Sequence, residues 1–159
     1  SGGGDRDAPW MVHLLRIPSY AMGSTPPQIH QVEKKMILSL PWPPSVNVYW
    51  RHVGSKVLIS ADGRAYARDV YRKVLEHRVT SSGTMPYFIA FPISVDIIAH
   101  PPNRARRDLD NLPKAILDAL TKARVWEDDS LVHDLRARWG EVRKGGEVQI
   151  TINRLEGIA

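Results

Sequence analysis

Cysteine is absent from this chain of 159 residues, which excludes disulfides, thiolate metal sites and a cysteine nucleophile and fits a reducing compartment. Long apolar runs are also lacking: stretches such as 97–99 fall far below the roughly 20 residues needed to cross a bilayer. No secretory signal is evident, so we expect a soluble, cytoplasmic protein with no membrane partner. Acidic residues are in the minority, with 17 Asp and Glu against 22 Lys and Arg and a formal net charge of +5. That balance favours a polyanionic partner over an acidic protein or a neutral metabolite. The length suits one domain with a single core, and no internal repeat is visible.

Residues 1–35 open on SGGG and scatter Pro9, Pro18, Pro26 and Pro27 without a helical or strand period. We expect a leader, a vector-derived stretch or a poorly ordered arm there, with the functional domain at 36–155. Residues 36–40 form a strand candidate that PWPPSVN stops, because proline cannot donate to a ladder. Residues 48–59, rich in Val, Tyr and Trp and broken at Gly54-Ser55, predict a hairpin with Arg51, His52 and Lys56 near its tip. Such a basic, aromatic loop can grip a phosphate backbone or simply be solvated.

Ser60 is an N-cap candidate for a helix reaching about Arg78. Tyr66, Val70 and Val74 form its apolar row with Ala67, Tyr71 and Leu75 beside it, and the aromatics are expected in the core. Arg64, Arg68 and Arg72 repeat every fourth residue on another face, either as solvated charge or as a row turned to DNA. Residues 80–86 read as a loop. Strict alternation at 93–99 predicts a half-buried strand. A second helix carries a stripe of Leu112, Ala115, Ile116, Ala119, Leu120 and Ala123, with Pro113 tolerated in its first turn. Residues 131–139 alternate again, setting Leu135, Ala137 and Trp139 against Arg136 and Arg138. A turn at Lys144-Gly145-Gly146 then leads into a closing strand with Val148, Ile150 and Ile152. The sum is α+β: a small mixed, largely antiparallel sheet of four to five strands packed on two main helices.

The densest chemistry lies at 104–129, RARRDLDNLPKAILDALTKARVWEDD. Carboxylates this close together beside arginines are costly unless a cation or polyanion sits among them. In an extended segment Asp108 and Asp110 would point to one side and Leu109 into the core, which suits a metal pair. The plain alternative is one acid as helix cap and one as surface charge. Lys114, four residues after Asp110, lies on the same helix face, either as a surface ion pair or as a group that steadies a scissile phosphate. Glu127, Asp128 and Asp129 follow a helix of about 20 Å. They can meet Asp110 only if the chain runs back along that helix or if another subunit supplies the counterpart.

The string R-D-L-D-N-L-x-K with W-x-D-D downstream, preceded by LSLPWPPSVNVYWRH and SADGRAY and followed by KGG, resembles the RusA family of Holliday junction resolvases over residues 36–153. The resemblance implies a homodimeric endonuclease, dependent on one or two Mg²⁺ or Mn²⁺ per site, that resolves four-way DNA junctions by paired symmetrical nicks in recombination and repair. It places the essential, metal-holding acids on Asp108, Asp110 and Asp129 and the essential lysine on Lys114, with Asp128 at the neighbouring acidic position as a further metal-ligand candidate. Arg107 corresponds to a basic residue inferred to contact phosphate, with Arg104 and Arg106 beside it. Asn47 matches an amide common in the proline-rich loop. His13, His30, His52, His77, His100 and His133 show no close ligand spacing, so an all-oxygen site without zinc is expected. A noncatalytic branched-DNA-binding domain and a broader branched-DNA nuclease are the alternatives.

Overall fold

The computed structural model describes residues 35–81 and 85–157; the expected leader lies outside them except for Lys35. Strand β1 (Lys35–Pro41) leads through the prolines into a one-turn helix α1 (Val46–Tyr49), then the hairpin β2 (Trp50–Val53) and β3 (Lys56–Ile59). Helix α2 (Ala61–Thr80) and strand β4 (Ile93–His100) follow. A 3-10 turn (Leu109–Asn111), helix α3 (Leu112–Lys122) and a second 3-10 turn (Asp129–Leu131) come next. Strands β5 (Val132–Trp139) and β6 (Glu147–Arg154) complete the described chain.

The main sheet has four strands in the order β1-β6-β4-β5, and β2-β3 form a separate two-stranded sheet. β1 and β4 pair antiparallel with β6, whereas β4 and β5 are parallel. The parallel pair arises because α3 carries the chain from the end of β4 back to the start of β5, a strand–helix–strand crossover. The sheet is therefore mixed and mostly antiparallel.

Alternation decides which face is covered. Met36, Leu38 and Leu40 of β1, Ile93, Val95, Ile97 and Ala99 of β4, and Val148, Ile150 and Ile152 of β6 are all buried. Tyr66, Val70 and Val74 of α2 and the predicted stripe of α3 join the same core. Ser60 caps α2 by accepting a hydrogen bond from the Gly63 N–H at 3.0 Å. Gly63 permits close approach to α1, since a Cβ there would lie 2.6 Å from the Tyr49 carbonyl oxygen.

Three expectations change. The hairpin starts later than residue 48, because Tyr49 is drawn fully into the core and the residues before it close a helical turn. Tyr71 and Leu75 are not core: they lie beside the buried row of α2 and remain exposed. Leu135 and Trp139 are also exposed, because β5 is an edge strand.

Candidate functional site

Asp108 keeps extended backbone geometry, but Asp110 sits inside the 3-10 turn. The expected strand-like alternation of the two acids is thus replaced by a tight turn, with Leu109 half-buried and packed against the core. Neither acid serves as a cap: Asp108 makes no side-chain cap bond to the 3-10 turn, and α3 is preceded by Asn111, which makes none either. Lys114 forms no ion pair with Asp110, and both side chains lack a hydrogen-bond partner among the described residues. Neither a cap by these acids nor an Asp110–Lys114 pair is formed, and Asp108, Asp110 and Lys114 are all exposed.

Asp110, Lys114 and Asp129 line one cleft of about 710 Å³ together with Trp50, Pro113, Leu117, Asp118, Leu135 and Ala137. Asp129 thus borders the same cleft as Asp110 in one chain, although it stands three residues before Val132, which pairs with Ile93 at the start of β4, while Asp110 follows the end of that strand. The alternating apolar face of β5 supplies part of the cleft wall, which accounts for the exposure of Leu135. Asp108 is exposed and does not line this cleft. Asp128 accepts a hydrogen bond from the Ser130 N–H at 2.7 Å and caps the second 3-10 turn. Bonds to the Ser130 backbone and then its side chain, with a smaller one to Asp129, hold the Asp128 carboxyl below the usual carboxylate range.

The acidic turn is held in place from several sides. Trp126 is fully buried, and its indole N–H donates to Thr121 Oγ1 at 2.7 Å. Ile89 forms a bridge with Trp126, donating its N–H to the Val125 carbonyl at 2.9 Å and accepting from the Glu127 N–H at 3.3 Å.

A second cleft, of about 380 Å³, adjoins the first through Trp50 and Lys114 and is lined also by Val46, Asn47, His52 and Val57. The hairpin register pairs His52 with Val57, and Arg51 with Leu58. Alternation therefore turns His52 toward Lys114 and puts Arg51 and Lys56 on the other face. The arginine row of α2 lines neither cleft. Arg64 donates to the Ile59 carbonyl at 2.8 Å and Arg72 forms an exposed pair with Asp69 at 3.7 Å, so the row is not uniformly free. Arg107 is bound into its own loop, donating to the carbonyls of Asn103 and Ala105 and to Asn103 Oδ1 at 2.7–3.1 Å.

Against this geometry, the family model described as Endodeoxyribonuclease RusA matches residues 41–153. The chain belongs to the RusA endodeoxyribonuclease family. It is 45% identical over 118 residues to a crossover junction endodeoxyribonuclease RusA of Escherichia coli O139:H28, covering 74% of this chain and 93% of that protein. It is 43% identical to the protein of the same description from E. coli K12 and 44% identical to that of Enterobacteria phage 82, each with the same coverage.

Within this RusA domain, Asp118 is a cleft residue that sequence reasoning missed. It lies one helical turn beyond Lys114 and two beyond Asp110, and that spacing was the available signal. Its carboxylate accepts a hydrogen bond from the buried Tyr49 hydroxyl and pairs with Lys122 at 2.6 Å. Burial, followed by the bond to Asp118, pushes the Tyr49 hydroxyl up, so it stays a protonated donor. Lys122 lies 5.9 Å from the centre of the Trp50 ring, which ties the cleft wall to the hairpin.

No group of three or more acidic or histidine side chains among the described residues is gathered tightly enough to form a ready-made metal cage. Asp110 and Asp129 instead offer hard oxygen donors around a shared cleft. Hard oxygen donors are the type that divalent cations such as Mg²⁺ and Ca²⁺ take. Among the described residues no helix is long and apolar enough to cross a membrane.

Proposed function

We propose that this chain is a cytosolic, divalent-metal-dependent endonuclease that resolves four-way DNA junctions by paired, symmetrical nicks and acts as a homodimer through its 36–155 domain. The observation that carries this reading is the shared cleft of Asp110, Lys114 and Asp129 in a chain whose relatives bear the name crossover junction endodeoxyribonuclease.

Asp110 and Asp129 would hold the cation, Mg²⁺ or Mn²⁺, and the family resemblance adds Asp108, which lies outside the cleft lining. One or two such ions supply charge neutralisation at the phosphate oxygens and a lowered pKa for the attacking water. Lys114, which has no partner among the described residues, places its ammonium against the scissile phosphate and stabilises the charge that develops there. Arg104 and Arg106 neutralise backbone phosphates upstream of the acids, and His52, Arg51 and Lys56 extend the basic surface along the hairpin. Arg64, Arg68 and Arg72 would meet DNA only beyond the cleft. Two subunits are needed because the junction presents two strands for cutting, and a two-fold protein matches a two-fold substrate.

The test is to incubate the protein with a synthetic four-way junction, a fork and a linear duplex, with and without Mg²⁺. Metal-dependent paired nicks on the junction are expected. Persistent binding without nicks would make the chain a noncatalytic branched-DNA binder, and equal rates on the fork would make it a broader branched-DNA nuclease.

A further inference from the structure

Next to the catalytic cleft lies an aromatic feature that this reading leaves without a role. Trp139 ends β5 on the side that faces the helices, but it retains 40% of its exposure. Its ring is positioned by Trp42, with centroids 6.4 Å apart and planes within 18°. Trp42 is itself fixed: the Arg107 guanidinium lies 5.6 Å from its ring centre. On the other strand end, Gly146, at φ +74°, leaves space that a Cβ would close, coming within 2.7 Å of the Trp42 Cβ. The result is a rigid, partly open indole rather than a loosely exposed one.

That indole borders a concavity of about 270 Å³ whose other walls include Pro101, Arg104, Arg106, Arg107 and Val142. Arg107 has its donors occupied by the loop, while Arg104 and Arg106 make no hydrogen bond or ion pair among the described residues. Free guanidiniums around a flat apolar ring match nucleic acid: phosphates take the charge and a base takes the ring face. A paired, stacked base in duplex DNA has no face to offer. Bases at a branch point do, because their stacking partners diverge there.

Resting on the junction-nuclease reading, we propose that Trp139 is a stacking platform for one unstacked nucleobase of the DNA, with Arg104 and Arg106 on the flanking phosphates. The platform lies at the end of the loop that delivers Asp108. It would set where along the strand the scissile phosphate falls, making Trp139 a positioning residue.

The experiment uses the full chain in Ca²⁺ buffer and a four-way junction carrying 5-iododeoxyuridine at the branch point. Photocrosslinking should map to Trp139. Trp139→Ala should weaken junction binding about 5- to 150-fold, as expected for loss of one base–aromatic stack, leave linear-duplex affinity unchanged in a chain that is still folded at the assay temperature, and be rescued by Trp139→Phe. Unchanged junction affinity, an equal loss on duplex, or conversion of a dimer to monomers in sedimentation would each overturn the platform. A wild-type chain that binds no junction at all would overturn the junction-nuclease reading as well, and is thereby distinguished from failure of the platform alone.

Discussion

Asp110 and Asp129 line one cleft even though helix α3 separates them in sequence. The chain turns at the end of that helix. The Val125 N–H donates to the Leu120 carbonyl at 3.2 Å and the Arg124 N–H to the Thr121 carbonyl at 3.0 Å, the paired bonds of a Schellman ending. Val125 and Leu120 are both buried, supplying the accompanying apolar contact.

The turn requires Arg124 at φ 60°, a conformation that costs a residue with a Cβ about 1–2 kcal/mol and that glycine adopts freely. Arg124→Gly should therefore stabilise the fold by about 0.5–1 kcal/mol after glycine's larger unfolded-state entropy is subtracted. A urea titration would show a higher midpoint at unchanged slope; a lower midpoint would mean that the arginine side chain itself holds the turn.

The two buried tyrosines should respond differently. Tyr49 donates to Asp118, so Tyr49→Phe leaves a cleft carboxylate short of a donor and should cost about 1–2 kcal/mol. The Tyr66 hydroxyl is buried without a partner among the described residues, so Tyr66→Phe should be neutral or slightly stabilising. Thermal unfolding of the two variants side by side checks the contrast, and equal losses would contradict it.

The arginines of the 104–107 segment divide in the same way. Arg104→Ala and Arg106→Ala should each lower the slope of log affinity against log salt by about 1, as loss of one phosphate contact does. Arg107→Ala should leave that slope nearly unchanged and slow cleavage, because its guanidinium clasps Asn103 and Ala105 ahead of Asp108. A salt titration of junction binding for the three variants separates the roles; a full unit lost from Arg107→Ala would make it a phosphate contact.

Much of this architecture was legible in the residues. Periods of two and 3.6 located β4, β6 and the stripe of α3, since those faces are buried and nothing competes with the pattern. The Val46–Tyr49 turn was not legible: Val, Tyr and Trp favour strands, and only the burial of Tyr49 against α2 and α3 overrides that preference. Pairing of β5 beside β4 was hidden too, because the alternation of an edge strand does not say which neighbour it joins. At the site, Lys114 and Asp110 followed from helical spacing. That Asp129 borders the same cleft did not, because the path of the chain there follows from one left-handed residue, Arg124, and from the anchoring of Trp126. Arg107 looked like its neighbours in sequence, and only the position of Asn103 sets it apart.

The most direct test of the shared cleft is single-turnover nicking of a four-way junction in Mg²⁺ by Asp110→Asn and Asp129→Asn, scored per bound complex. Both variants should lose at least about 10²-fold in rate while binding the junction as well as the wild type or more tightly, because each removes a negative charge facing phosphate. Normal nicking per bound complex in either variant, with only weakened binding, would contradict the account.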